Sequence, residues 1–229
     1  MERRAPVPLN WGAASMLTVA CCLWGDFPDK GWGDEYVRRL KTSVDRHLSA
    51  PFRFVCFSDR DAIPGIDVRP LNPPSWCGHL PKSYVYSPDA GLRGRVLLFD
   101  LDNVIVGSLN EMAAYDGPFC VRGRLHHMRP RQPDGDMIAF EAGSKTTLMM
   151  WEKANAKDVV RQSRDGRERE FILWANPKAD QWQEICPGQV VSYRLECRGR
   201  LPKGARVVSC HGRPRPHEIT NPFIVDNWR

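Results

Sequence analysis

The sequence predicts an α/β domain whose sheet is largely parallel in its first half. Three observations carry that reading. Val96-Leu97-Leu98-Phe99 is an unbroken apolar run, the mark of a strand covered on both faces. Three earlier apolar runs, at 17–24, 52–57 and 68–71, are interrupted after the first by a helical repeat, the pattern of strand–helix–strand units. A chain of 229 residues that is 42% hydrophobic can bury one substantial core.

Taken in order, residues 1–15 are Pro-rich and polar and read as a loose arm, leaving 16–229 as a single domain. The run at 17–24 is the first strand. It is too short to cross a membrane and is followed at once by Asp26. Residues 25–33, with Pro28, Gly31 and Gly33, form a loop. Val37, Leu40, Val44 and Leu48 recur at helical spacing, and Asp34 and Glu35 suit the positive end of that helix. Strands follow at 52–57 and 68–71. Residues 76–87 run from a loop into a short helix that Pro88 ends. After the central strand, 104–106 and Leu109 continue as apolar contacts, 111–114 is a short helix and 119–122 a strand. Residues 122–134 hold Arg122, Arg124, Arg129, Arg131, His126 and His127, a basic loop that is either a solvated surface loop or an anion-contacting lid. Strands are expected at 137–140, 190–193 and 206–209. Helices are expected at 145–157 and 171–175, with a further helical turn at 177–182 and a charge-dense loop at 163–170.

The net charge of +6 favours anionic partners: nucleotide diphosphates, an anionic membrane surface or nucleic acid. Nucleic acid is the weakest of these, because no basic stripe with interleaved aromatics is present. The eight cysteines are scattered without a C-x-x-C pair, as expected of reduced thiols in a cytoplasmic protein rather than a disulfide frame or zinc site.

The chemistry concentrates where the central strand ends, at Asp100-Leu101-Asp102. If the strand continues through them, period-two alternation turns both carboxylates to one side. Two hard oxygen ligands at the mouth of a sheet suit Mn²⁺ or Mg²⁺ held together with a substrate phosphate.

Several stretches together resemble a known family. Phe99-Asp100-Leu101-Asp102, followed by Val104-Ile105-Val106-Gly107 and Leu109, is similar to the D-x-D strand of nucleotide-sugar glycosyltransferases of the GT-A fold, a Rossmann-like mixed sheet flanked by helices. Lys82 resembles the donor-contacting helix Lys of glycosyltransferase family 8, the family of glycogenin and bacterial lipopolysaccharide galactosyltransferases. Asp134-Gly135-Asp136-Met137-Ile138-Ala139-Phe140 resembles that family's N-S-G/S strand. Gly212-Arg213-Pro214-Arg215-Pro216-His217 resembles its closing G-x-x-K-P-W motif, the most specific of the set. The similarity spans 18–218 in order.

The resemblance implies metal-dependent transfer of a sugar from a UDP-sugar donor with retention, onto a glycan, lipid-linked or protein acceptor that it does not identify. Asp100 and Asp102 would hold Mn²⁺ or Mg²⁺, with His211 as a third ligand. Arg215, in place of the family Lys, would bind the leaving phosphate through its planar fork. Trp24, Gly25, Asp26 and Tyr36 would hold the nucleoside, Lys82 and Asp100 the donor, and Gly212 the turn of the closing segment. The family's D-Q pair falls on Glu168-Arg169, and its N-S pair on Asp134-Gly135, so Glu168, Arg169 and Asp134 would face the donor sugar. Ser209 stands where the family's metal-binding His usually lies. Location at the inner face of a membrane would bring the basic loop to an anionic acceptor. Two rival readings use the same residues. In a phosphatase of the haloacid-dehalogenase type, Asp100 would be the nucleophile and Asp102 the acid/base, although that motif normally opens the chain. In a weakened nucleotide-sugar-binding protein the substitutions would have removed turnover.

Overall fold

The computed structural model describes residues 16–25, 32–72, 80–123, 133–156 and 168–229, with Glu168, Arg169 and Glu170 described only by their place in a helix. The arm at 1–15, Asp26, and the basic residues from Arg124 to Arg131 lie outside the described residues.

A seven-stranded mixed sheet forms the centre, in the order β3-β2-β1-β4-β7-β6-β8. Strand β1 (Leu17–Leu23) pairs parallel with β2 (Phe52–Ser58) on one side and β4 (Gly94–Phe99) on the other, and β2 pairs parallel with β3 (Asp67–Pro70). The parallel half expected from the sequence is therefore present. Strand β7 (Pro133–Ala142) then runs antiparallel to β4 and to β6 (Phe119–Gly123). Strand β7 is longer than its apolar centre because pairing with β6 carries it outward to Pro133.

The central strand is apolar on both sides because both sides are covered. Leu97 and Phe99 join one core cluster, Val96 and Leu98 the other, and all four are fully buried. Each such side chain contributes about 1.5–3 kcal/mol of transfer free energy. The first cluster is roofed by helix α1 (Asp34–His47), whose Tyr36, Val37, Leu40 and Val44 form its buried stripe. The second is covered by the 3-10 turn Leu80–Tyr86 and by residues of two later helices, Met150 and Ile172 among them.

Three expectations are corrected. Val104 and Ile105 are not loose apolar contacts: with Asn103 they form β5 (Asn103–Ile105), in a separate three-stranded sheet with β10 (Val207–Ser209) and β9 (Val190–Ser192). The residues before Trp182 are not helical. Asp180–Gln181 forms β8, pairing with Cys120 and Val121 at the open edge of β6, and Tyr115 anchors Asp180 through its hydroxyl at 2.6 Å. The helix after it is Trp182–Ile185. The charge-dense loop ends earlier than expected, since Glu168–Ala175 is helical throughout.

All described cysteines are buried and free, in agreement with their reading as reduced core thiols. No helix among the described residues is long and apolar enough to cross a membrane.

Candidate active site

The parallel strands all end on one side of the sheet, and there the chain gathers its charges. Strand β4 stops at Phe99, but the ladder carries one more step: the Asp100 N–H donates to Asp136 O at 2.8 Å. The chain then turns, with the Asn103 N–H donating to Asp100 O at 3.2 Å, before entering the second sheet as β5. Asp102 therefore sits in a turn between two sheets, and strand alternation does not govern it. The two carboxylates therefore do not share a strand face, and each meets its own cation.

Asp100 accepts from Lys82 Nζ at 2.6 Å, and the same ammonium donates to Gly135 O. The Lys82 side chain is 6% exposed and that of Asp100 37%. Asp102 is 8% exposed and accepts at Oδ2 from Arg215 at 2.8 Å, across 113 residues of sequence. Its other oxygen, Oδ1, is buried without a hydrogen-bond partner. Burial pushes the Asp102 carboxyl up to about 7, with Asp100 and Asp136 adding to the rise and Arg215 opposing it. The Arg215 guanidinium also lies over the Trp32 ring, 5.1 Å from its centroid.

Behind these pairs lies a third that sequence reasoning missed. Arg122 is 1% exposed, not a solvated loop residue. A shift of register between Val121 and Arg122 sets its side chain against β7. There its Nε donates to Asp136 at 2.7 Å and a terminal nitrogen donates to Asp134 at 2.8 Å. Asp136 also accepts from the Ser209 hydroxyl. Burial acts to raise the Asp136 carboxyl, but Arg122 and Ser209 outweigh it and hold the group below its ordinary value. Asn103 ties the two strand ends together, donating from Nδ2 to Asp136 O at 2.7 Å and to Asp100 O at 3.1 Å. The sequence singles out Asp134 and the Arg122 stretch separately, but nothing in it marks their pairing or the role of Asp136.

Of the residues expected at the site, Asp100, Asp102, Lys82, Asp134 and Arg215 belong to this charged group. Tyr36 stands at its edge: its hydroxyl pairs with His217 Nδ1, its ring packs at 4.6 Å on Trp228, and burial pushes its phenol up to about 12. The Gly25 N–H donates to Asp59 at 2.6 Å, joining the ends of β1 and β2, and Trp24 packs on the second core cluster. Gly212 holds the left-handed conformation, φ +78°, that the turn into Arg213-Pro214-Arg215 requires. Glu168 and Arg169 open the helix Glu168–Ala175. His211 points elsewhere: its Nε2 pairs with Ser192 Oγ at 2.8 Å. Among the described residues no group of three His, Cys, Asp or Glu side chains is arranged to hold a metal ion. The buried atom of the Asp100–Asp102 pair open to a cation is Asp102 Oδ1, an acceptor with nothing to accept from.

No protein-family model and no curated protein matches the chain. Among solved structures the chain is similar to the apo form of WbbM, a bifunctional glycosyltransferase, with a TM-score of 0.64 at 9% identity. The match covers 96% of this chain and 50% of that one, so the chain spans about half the length of its structural neighbour. The likeness is one of fold: a mixed α/β sheet flanked by helices, of the GT-A-like kind.

Proposed function

We propose that the chain is a glycosyltransferase that moves a sugar from a nucleotide-sugar donor to an acceptor. We further propose that the donor is a UDP-sugar, that transfer retains the anomeric configuration, and that the chain resembles family 8 in mechanism. One observation carries the reading. Residues as far apart in sequence as Lys82, Asp100, Asp102 and Arg215 converge where the parallel strands end, which is where open α/β sheets bind ligands. The fold shared with a glycosyltransferase supports it.

In this reading Asp100 and Asp102 would hold Mn²⁺ or Mg²⁺, which would supply positive charge opposite the departing diphosphate. His211 as a third ligand would exchange its Ser192 partner for the ion. Arg215 turns its guanidinium from Asp102 to the leaving phosphate, a step favoured by its planar, bidentate geometry. Lys82 keeps Asp100 oriented and offers its charge to the donor. Trp24, Gly25, Asp26 and Tyr36 would bind the nucleoside, and Asp134, Glu168 and Arg169 would act on the sugar and acceptor. The phosphatase reading is the weaker one, because the D-x-D follows the fourth strand rather than opening the chain.

A thermal-shift screen of nucleotide sugars, with and without Mn²⁺, tests the assignment, since a ligand of the folded state raises its melting point. UDP-sugars should raise it with Mn²⁺ present, and hydrolysis of the bound donor should follow. Arg215→Ala should weaken UDP far more than uridine, because the loss is at the phosphate. Stabilisation by no nucleotide sugar, or hydrolysis of p-nitrophenyl phosphate instead, would contradict the reading. Binding of UDP and Mn²⁺ without donor turnover would leave a binding protein rather than an enzyme.

A further inference from the structure

A second charged surface lies outside the strand-end group. Between 194 and 204 the sequence carries Arg194, Arg198, Arg200 and Lys203 against a single acid, Glu196. The backbone beneath them is fixed. Cys197 is fully buried, and the Arg200 N–H donates to Cys197 O at 2.7 Å. The Ser192 N–H donates to Glu196 at 2.7 Å, while Ser192 Oγ accepts from the Leu195 N–H. Arg198 is the one described non-glycine residue at positive φ, +39°, which projects it from the tip of the turn. The side chains, by contrast, are exposed, and among the described residues none of these four cations has an ion-pair partner. Helix α1 is the opposite case: its half-buried Arg38, Arg39 and Lys41 are matched by Glu35 and Asp45.

The turn borders an open cavity of about 640 Å³ lined by Arg198, Arg200 and Lys203, by the single acid Glu196, and by the apolar Val191, Leu195 and Pro202. Leu195 is 47% exposed at its lip, and Ile185, three residues before the lining Gly188, is 41% exposed. Aliphatic side chains beside unpaired cations match the interface of an anionic bilayer, where the apolar groups enter the headgroup layer and the cations face phosphates. A site for one discrete phosphate would instead hold its donors buried and oriented, and none of the lining cations is buried.

We propose that this turn is a membrane-docking surface for anionic phospholipid. It does not depend on the transfer reaction. It does adjoin the closing segment, since Ser192 pairs with His211 and an Arg194 nitrogen lies 2.9 Å from where a Cβ on Gly212 would stand. Docking there sets the Gly212–Arg215 segment beside the bilayer, as a lipid-linked acceptor would need.

Co-sedimentation of the full chain with vesicles tests this without nucleotide or metal, so its failure leaves the transfer reading standing. The vesicles are about one part phosphatidylglycerol to two parts phosphatidylcholine, with pure phosphatidylcholine for comparison. The wild type should bind the anionic vesicles only. Arg198→Ala/Arg200→Ala/Lys203→Ala should lower partitioning at least about tenfold. Arg200→Glu/Lys203→Glu, which spares the strained Arg198 position, should do the same. A matched control, Arg38→Ala/Lys41→Ala/Lys178→Ala, should stay within about twofold of wild type. Absence of wild-type binding, or equal loss in the control, would overturn the proposal. So would release by inorganic phosphate replacing chloride at equal ionic strength, which would mean a discrete phosphate site.

Discussion

Asp100 and Asp102 are two residues apart and carry the same functional group, yet they live in different solvents. Asp100 is partly open to water, and its cation, Lys82, is the buried member of the pair. Asp102 is itself enclosed, its cation comes from the far end of the chain, and one of its oxygens has no partner. A carboxylate that can turn to water tolerates loss of its cation. A buried one does not, because the desolvation cost stays after the Coulombic compensation is gone. The open arm can thus change partners cheaply, while the closed arm ties its carboxylate to the position of the segment that bears Arg215.

The largest effect should come from breaking the pair that backs both arms. Arg122→Ala removes the guanidinium hydrogen-bonded to buried Asp136 and to Asp134, and should cost about 3–5 kcal/mol in urea unfolding. Next comes the direct contrast between the arms. Arg215→Met should destabilise by about 3 kcal/mol. Lys82→Met should cost no more than about 1 kcal/mol, because Asp100 remains hydrated. Adding Asp102→Asn to Arg215→Met should recover most of the loss, as expected when the penalty is an unpaired buried charge. Equal losses in the two Met variants would erase the distinction. A conformational effect falls between the two arms: Gly212→Ala should cost about 1–2 kcal/mol through its left-handed backbone, with a weaker hold on UDP that calorimetry would read.

Much of this was legible in the sequence, and the exceptions share a cause. The central strand, helix α1 and the parallel order of the first half follow from periodicities within single segments. The D-x-D and the Gly212–His217 motif were visible as short strings, and Lys82, Asp100, Asp102 and Arg215 do converge. What local pattern could not show depends on distant pairing. Arg122 looked like the start of a basic loop because its burial comes from a register shift against β7. Asp136 and Ser209 are 73 residues apart and meet only because the end of β10 lies against the first half of β7. Asp180–Gln181 is a strand because an edge was open to receive it. Alternation misjudged Asp100 and Asp102 because it assumes a strand that continues, whereas this one turns at Asp100 into a second sheet.

The most direct test of the central claim is isothermal titration of UDP into wild type and Asp102→Ala, each with and without Mn²⁺. If the two carboxylates grip the ion that receives the diphosphate, Mn²⁺ should tighten UDP binding at least about tenfold in the wild type and have no effect in the variant. The same Mn²⁺-linked gain in both proteins would place the ion, and the chemistry, somewhere other than the Asp100–Asp102 turn.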